Sequence, residues 1–138
     1  PDPTSDRGEH QFRFLLAPGA DIADAIELGY RLQLPVRELE GVASGAHPSF
    51  IDTGNPAIIV ETVKLADDGS GDVIVRLDEA RGTRARGQIT TGFNWTDVMQ
   101  TDVLEDEMEA DALTDEVVPE LQLRPFQLVT LRFLGVSA

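Results

Sequence analysis

The sequence predicts a mainly β fold: an antiparallel β-sandwich with one short helix near the N-terminus. Short runs of β-branched or alternating apolar residues recur from Pro56 onward, and turns rich in glycine, proline and aspartate separate them. One earlier segment places its apolar residues at helical spacing instead. A length of 138 residues is that of one ordinary domain with a substantial hydrophobic core.

The first element expected is a strand. Phe12, Phe14 and Leu16 occupy alternate positions, which is the period of a half-buried strand. The dipeptide 18–19, Pro-Gly, ends this run and leads into the next element.

A helix is predicted over residues 21–33. Asp21 is a candidate N-cap, and Asp24 stands three residues later, as in a capping box. Apolar residues follow at helical spacing, namely Ile22, Ala25, Ile26 and Tyr30. Pro35 cannot continue a helix, so we expect the helix to end before it.

The remaining elements are all predicted to be strands. The β-branched runs 57–65 and 72–80 flank the sequence Asp-Asp-Gly-Ser-Gly, which is typical of a hairpin turn. The segments 84–91 and 94–103 are expected to be further strands, as is the alternating segment around Leu121 and Leu123. A last strand is predicted to place Val129, Leu131 and Phe133 on one face.

The charge excludes several classes of partner. There are 25 acidic residues against 11 basic ones, a net charge of −14, which disfavours nucleic acid and anionic membranes.

The absence of cysteine excludes disulfides and thiolate zinc sites. No apolar run is long enough to span a membrane, and residues 1–6 are polar rather than signal-like, so we expect a cytoplasmic protein.

The acidic residues cluster in segment 102–120, which we interpret as a solvated, mobile loop. Binding of a hard cation is the alternative, but the spacing of the acids does not match an EF-hand loop. Asp67, Asp68 and Asp72 are interpreted in the same way, as turn residues.

No segment carries a recognisable catalytic motif. Ser44 lies three residues before His47, but no third orienting group accompanies them, so we interpret both as exposed turn residues. His10 is interpreted as a structural, hydrogen-bonded histidine. Catalytic, cofactor-binding and metal-ligating residues are therefore predicted to be absent.

The aromatic and basic residues suggest packing or partner contacts. Trp95 and Tyr30 are the sole residues of their kinds, and we expect both to pack in the core or at an edge, since sugar platforms use several exposed rings. Arg81, Arg84 and Arg86 cluster around a turn, where we expect them to pair with surface acids; facing a partner domain is the alternative.

Five segments resemble, in the same order, segments of the glycoside hydrolase family 38 α-mannosidases. They are 6–14 (Asp-Arg-Gly-Glu-His-Gln-Phe-Arg-Phe), 30–35 (Tyr-Arg-Leu-Gln-Leu-Pro), 60–64 (Val-Glu-Thr-Val-Lys), 76–82 (Arg-Leu-Asp-Glu-Ala-Arg-Gly) and 124–131 (Arg-Pro-Phe-Gln-Leu-Val-Thr-Leu). The sequence departs from the family at Gly19, Asp78 and Gln127, where His, Tyr and Glu are usual.

The resemblance implies a non-catalytic C-terminal portion of a zinc-dependent retaining α-mannosidase. Residues 1–54 would end the large β-domain, with a strand, the helix and a strand, and residues 55–138 would form the C-terminal sandwich. The family's nucleophile and zinc ligands have no matching positions here, so the zinc and the contact with mannose-containing glycans would belong to the parent enzyme. The chain would brace the catalytic domain.

Two further expectations accompany this interpretation. The competing hypothesis is a free-standing carbohydrate-binding module with a sugar site near Trp95. If strands of the parent domain are missing, an exposed edge or apolar patch is expected to promote self-association.

Overall fold

The computed structural model describes residues 7–34, 36, 40, 49–108 and 120–137. The chain divides into two compact units, Pro1–Val42 and Ala43–Ala138. The predicted fold class is confirmed, because the elements are antiparallel strands together with one short helix.

The helix of the first unit, α1, spans Ile22–Gln33 and confirms the predicted capping. Asp21 Oδ1 accepts from the Asp24 N–H at 2.9 Å, and Asp24 Oδ2 accepts from the Asp21 N–H at 3.0 Å. These two bonds satisfy backbone donors that the first turn leaves without helical partners. The backbone becomes extended at Leu34, whose N–H donates to the Tyr30 carbonyl at 2.8 Å.

The strand expected at Phe12, Phe14 and Leu16 does not form. Residues 9–17 have no regular secondary structure, and the three side chains are all exposed. A strand needs a neighbour to complete its hydrogen bonds, and the described residues of the first unit contain no other strand. The alternation of the sequence is therefore present without a sheet to accommodate it.

The second unit contains eight strands. They are β1 Ile51–Asp52, β2 Ile58–Leu65, β3 Val73–Glu79, β4 Ala85–Gln88, β5 Thr90–Thr91, β6 Asp97–Thr101, β7 Glu120–Leu123 and β8 Leu128–Leu134. Four of them form a sheet in the order β2-β3-β8-β6, while β1-β5 and β4-β7 form two-stranded ribbons. All pairings among these strands are antiparallel.

The strand predicted over 84–91 is divided into β4 and β5, which have different partners. β4 pairs with β7, whereas β5 pairs with β1. Ile89 lies between the two strands, at the point where the backbone changes partner, and its side chain is buried in the core. The predicted hairpin of β2 and β3 is confirmed, with Leu65 opposite Val73 at its turn.

The core of the second unit is a single cluster of buried apolar side chains. The four-stranded sheet contributes alternate residues of β3 and β8: Val73, Val75, Leu77, Val129, Leu131 and Phe133. The ribbons contribute Ile51, Ala85, Leu121 and Leu123 to the same cluster. The alternate placement of these core residues is that of strands with one face toward a core, although Ile74 and Thr130 at intervening positions are buried as well.

The start of the acidic segment differs from the solvated loop expected. The Glu105 carboxylate is 8% exposed, pairs with Lys64 Nζ and accepts from the Asp67 N–H at 2.9 Å. Arg76 Nη2 donates to the Val103 carbonyl at 2.9 Å. Residues 102–106 are therefore fixed to β2 and β3 by a half-buried ion pair and contacts to the backbone. Residues 109–119, which carry other acids of the segment, lie outside the described residues.

A polar cluster joins the β2–β3 turn to β8. Arg132 Nη2 contacts Asp68 Oδ2 at 2.6 Å and Asp72 Oδ2 at 2.7 Å, and it donates to Ser70 Oγ at 3.1 Å. The hydrogen bonds from Ser70 and Arg132 lower the pKa of Asp68 to about 2. The pKa of Asp72 is lowered as well, chiefly by its hydrogen bond from Arg132.

These lowered pKa values predict a loss of stability in acid. A carboxyl group whose folded pKa lies below its usual 3.8 stabilises the fold above that pH, and the effect is lost as pH falls through about 2. We expect the free energy of unfolding of the 138-residue chain to fall between pH 4 and pH 2 in urea titrations. The fall should be shallower in Arg132→Gln, and equal slopes in both proteins would contradict this assignment.

Candidate functional site

A fully buried carboxylate lies at the end of β3. Glu79 Oε1 accepts hydrogen bonds from the Arg81 N–H at 3.0 Å and the Thr83 hydroxyl at 3.1 Å. Oε2 accepts from the Thr83 N–H at 3.1 Å and from the Phe126 N–H at 3.0 Å. The carboxylate thus joins the turn after β3 to the turn before β8, where Phe126 lies 47 residues from Glu79 in sequence.

Neutral donors hold this charge in the ionised state. Burial alone raises the pKa of Glu79, but hydrogen bonds from the N–H groups of Phe126, Thr83 and Arg81 outweigh it, so the pKa lies below the usual 4.5. A buried carboxylate with four donors is a structural anchor, because its oxygens have little capacity left for a substrate.

Gly82 allows the two turns to approach each other. Its φ of +69° lies in the left-handed region, and a Cβ atom there would lie 2.6 Å from Cζ of Phe126. Phe126 itself has φ of +56°, which is uncommon for a bulky residue. The hydrogen bond from its N–H to Glu79 helps to hold this conformation.

Next to this anchor, the outward face of the β4–β7 ribbon forms an arginine-lined groove. We use this name for a depression of about 310 Å³ whose polar lining is Arg84, Arg86, Gln122, Arg124 and Gln127. All three arginines are exposed. None of them forms an ion pair with a described residue. The pairing with surface acids expected for Arg81, Arg84 and Arg86 is therefore not found among the described residues.

Trp95 is half-buried and packs against the core, in agreement with the predicted packing in the core or at an edge. Its ring lies edge-on to that of Phe133, with centroids 5.6 Å apart, and its indole N–H donates to Thr91 Oγ1 at 3.2 Å. Tyr30 is half-buried on α1. Both contacts of Trp95 are those of a packing residue.

Of the histidine and serine candidates, only His10 lies within the described residues. The ring of His10 stacks on that of Phe12, with centroids 6.2 Å apart, while Ser44 and His47 lie outside the described residues. Asp67, Asp68 and Asp72 belong to the turn between β2 and β3, and their carboxylates contact Lys64 or Arg132. Their interpretation as turn residues is confirmed.

The described residues do not provide a site for zinc. Among residues 7–34, 36, 40, 49–108 and 120–137, no three His, Asp or Glu side chains are grouped closely enough to hold a metal ion. No helix in the described part is long and apolar enough to cross a membrane.

The sequence of this sandwich matches the model of a known family. The sequence model of the family described as glycosyl hydrolases family 38 C-terminal beta sandwich domain matches residues 57–131, which include Glu79, Gly82 and Phe126. This chain belongs to that family. Its similarity to the α-mannosidases, inferred from the motifs, is thereby confirmed.

Curated relatives of this family 38 sandwich are much longer proteins. Alpha-mannosidase G of Dictyostelium discoideum is 29% identical over 146 residues, covering 98% of this chain and 13% of the relative. Alpha-mannosidase 2C1 of Homo sapiens and that of Mus musculus are each 29% identical over 140 residues, covering 95% of this chain and 13% of the relative. The chain therefore spans about 13% of the length of these relatives.

The role of Glu79 in this family 38 sandwich was missed in the sequence, although a signal for it exists. Val73, Val75 and Leu77 point inward along β3, and Glu79 continues the same alternation at a core position. An acid at such a position requires hydrogen-bond donors. The turn after β3, which contains Gly82, and the turn before β8, which contains Phe126, supply them.

Removing the charge of Glu79 is expected to weaken the fold. In Glu79→Gln an amide NH₂ would face backbone N–H donors, which should lower the free energy of unfolding by about 2–4 kcal/mol. Asp78→Asn is the matched control, because burial and the nearby Glu61 and Glu79 raise the pKa of Asp78 and its charge is unfavourable. Denaturant unfolding at pH 7 measures the free energy of unfolding of both variants. Equal losses of stability in the two would contradict the assignment of Glu79 as a structural anchor.

A second pair of variants separates backbone strain from crowding. Gly69 has φ of +73°, and no neighbouring atom lies within 4 Å of where a Cβ would be, so Gly69→Ala should cost about 1–2 kcal/mol for the left-handed conformation alone. Gly82→Ala should cost up to about 1 kcal/mol more, because the ring of Phe126, which is 73% exposed, must move aside. Equal costs in thermal unfolding would show that Phe126 does not press on Gly82.

Proposed function

We propose that this chain is the non-catalytic C-terminal β-sandwich portion of an α-mannosidase that hydrolyses terminal α-D-mannosides. The observation that carries the proposal is the family match over residues 57–131. It is supported by three relatives named as alpha-mannosidases, of which this chain spans about 13%. Under this proposal the parent is the glycosidase and this part has no catalytic residue of its own.

The chemistry is assigned to the rest of the parent enzyme. We place the zinc ion, the nucleophile and the contacts with mannose-containing glycans in its catalytic domain, since their family motifs have no matching positions in this sequence. The residues of this chain are proposed to hold position rather than to bind substrate. The buried carboxylate of Glu79 suits that role, because its hydrogen bonds fix two turns.

The domain organisation is part of the same proposal. Residues 1–54 would end the large β-domain of the parent and residues 55–138 would form the C-terminal sandwich. The exposed side chains of Phe12, Phe14 and Leu16 support the first assignment, because they alternate as in a strand yet have no sheet to join within the described residues of the first unit. Strands of the parent β-domain would supply that sheet, and without them the same apolar surface would favour self-association.

The sandwich is proposed to brace the catalytic domain through its own rigidity. Its core cluster and the Glu79 anchor give it a packed interior of its own. A free-standing carbohydrate-binding module is the competing hypothesis. The packing of Trp95 on Phe133 does not favour it, because the ring is engaged in the core.

The test is made in the full-length parent enzyme, assayed on an aryl α-mannoside. Deleting residues 55–138 should accelerate thermal inactivation and lower kcat, whereas Glu79→Gln should accelerate inactivation with KM unchanged. Asp78→Asn serves as the control with normal inactivation. Hydrolysis by the isolated 138-residue chain, or a deletion that leaves inactivation and kcat unchanged, would contradict the proposal.

A further inference from the structure

The three arginines of the groove stand out within a strongly acidic chain. The net charge is −14, yet Arg84, Arg86 and Arg124 form no ion pair with any described residue. In contrast, Lys64 and Arg132 each contact two carboxylates. Three positive charges therefore lie together on one face, and no described carboxylate neutralises them.

The fold fixes the backbone under this face. Outward positions of β4 and β7 alternate with the buried Ala85, Leu121 and Leu123, and Arg86 lies opposite Gln122. The Arg86 carbonyl accepts from Asn55 Nδ2 at 2.7 Å. The arginines thus project from a ribbon whose opposite face is held in the core.

The third arginine is positioned by the Glu79 anchor. Gln127 Oε1 accepts from the Arg124 N–H at 2.9 Å and from Arg124 Nε at 3.4 Å. The same turn contains Phe126, whose N–H is bound to Glu79. A turn so restrained presents the guanidinium with less motion than a free surface side chain, which lowers the entropy lost on binding.

We propose that the arginine-lined groove is a docking surface for a carboxylate-bearing segment of the rest of the parent polypeptide. This inference rests on the proposed function and states which face of the sandwich performs the bracing. Guanidinium groups bind carboxylates bidentately, so three of them with two glutamines match an acidic, extended segment. The occupant is a polypeptide of the same protein.

Two observations favour a polypeptide over a small anion. Phe126, which lies between the lining residues Arg124 and Gln127 in the sequence, is 73% exposed and offers an aromatic contact that a polypeptide would use and a free anion would not. The relatives also extend far beyond this segment, which is 13% of their length. A covalently attached segment has a high effective concentration, so a few ion pairs of modest strength suffice.

The experiment measures arginine reactivity in the full-length parent. Phenylglyoxal modification, followed by peptide mass spectrometry, is expected to be about tenfold slower at Arg84, Arg86 and Arg124 than at the exposed Arg81, which does not line the groove. Salt at about 1 M should reduce the difference by screening the ion pairs. Equal reactivity at all four arginines would overturn the inference.

A charge reversal supplies the matched variants. Arg86→Glu should repel the acidic segment, raise the reactivity of Arg84 and Arg124 and accelerate thermal inactivation, whereas Arg81→Glu should do neither. If dialysis into phosphate-free buffer abolishes the protection, a small anion occupies the groove and the inference is wrong. The two proposals can fail separately. If the deletion of residues 55–138 destabilises the parent, but the groove arginines of the intact parent react as fast as Arg81, the sandwich braces through another face. In that case only this inference fails, and the proposed function stands.

Discussion

The second unit depends on one buried charge whose hydrogen bonds span the sequence. The carboxylate of Glu79 has no exposed surface, and its ionised state is stable because N–H and O–H donors from two turns converge on it. Leaving such donors unsatisfied in the interior costs far more than a typical surface contact contributes. Gly82 and Phe126 adopt left-handed conformations around this group, so the local geometry and the carboxylate require each other.

This anchor also connects packing to the proposed role. The turn before β8, which Glu79 holds through Phe126, also contains Arg124 and Gln127, and these two residues line the arginine-lined groove. The interior of the sandwich therefore fixes the position of part of its outward charge. Under the proposed function, the sandwich would contribute to an α-mannosidase through a rigid surface, and hydrolysis would take place in the parent's catalytic domain.

Local signals in the sequence predicted local structure well. The Asp21–Asp24 capping box and the hairpin between β2 and β3 depend on residues a few positions apart, and both are confirmed. The prediction of a strand at residues 12–16 was wrong, because a strand depends on a partner that is distant in the sequence. The division of 84–91 at Ile89 and the contact between Glu79 and Phe126 are also non-local, and a pattern along the chain carries no information about which turn meets which.

The central claim, that Glu79 holds the two turns together, is tested most directly by amide hydrogen exchange. At pH 7 the amides of Arg81, Thr83 and Phe126 should all be strongly protected, and Glu79→Gln should reduce protection at all three, including Phe126, 47 residues away. Protection of the Phe126 amide that is unchanged in Glu79→Gln would contradict the account, because another acceptor would then hold that turn.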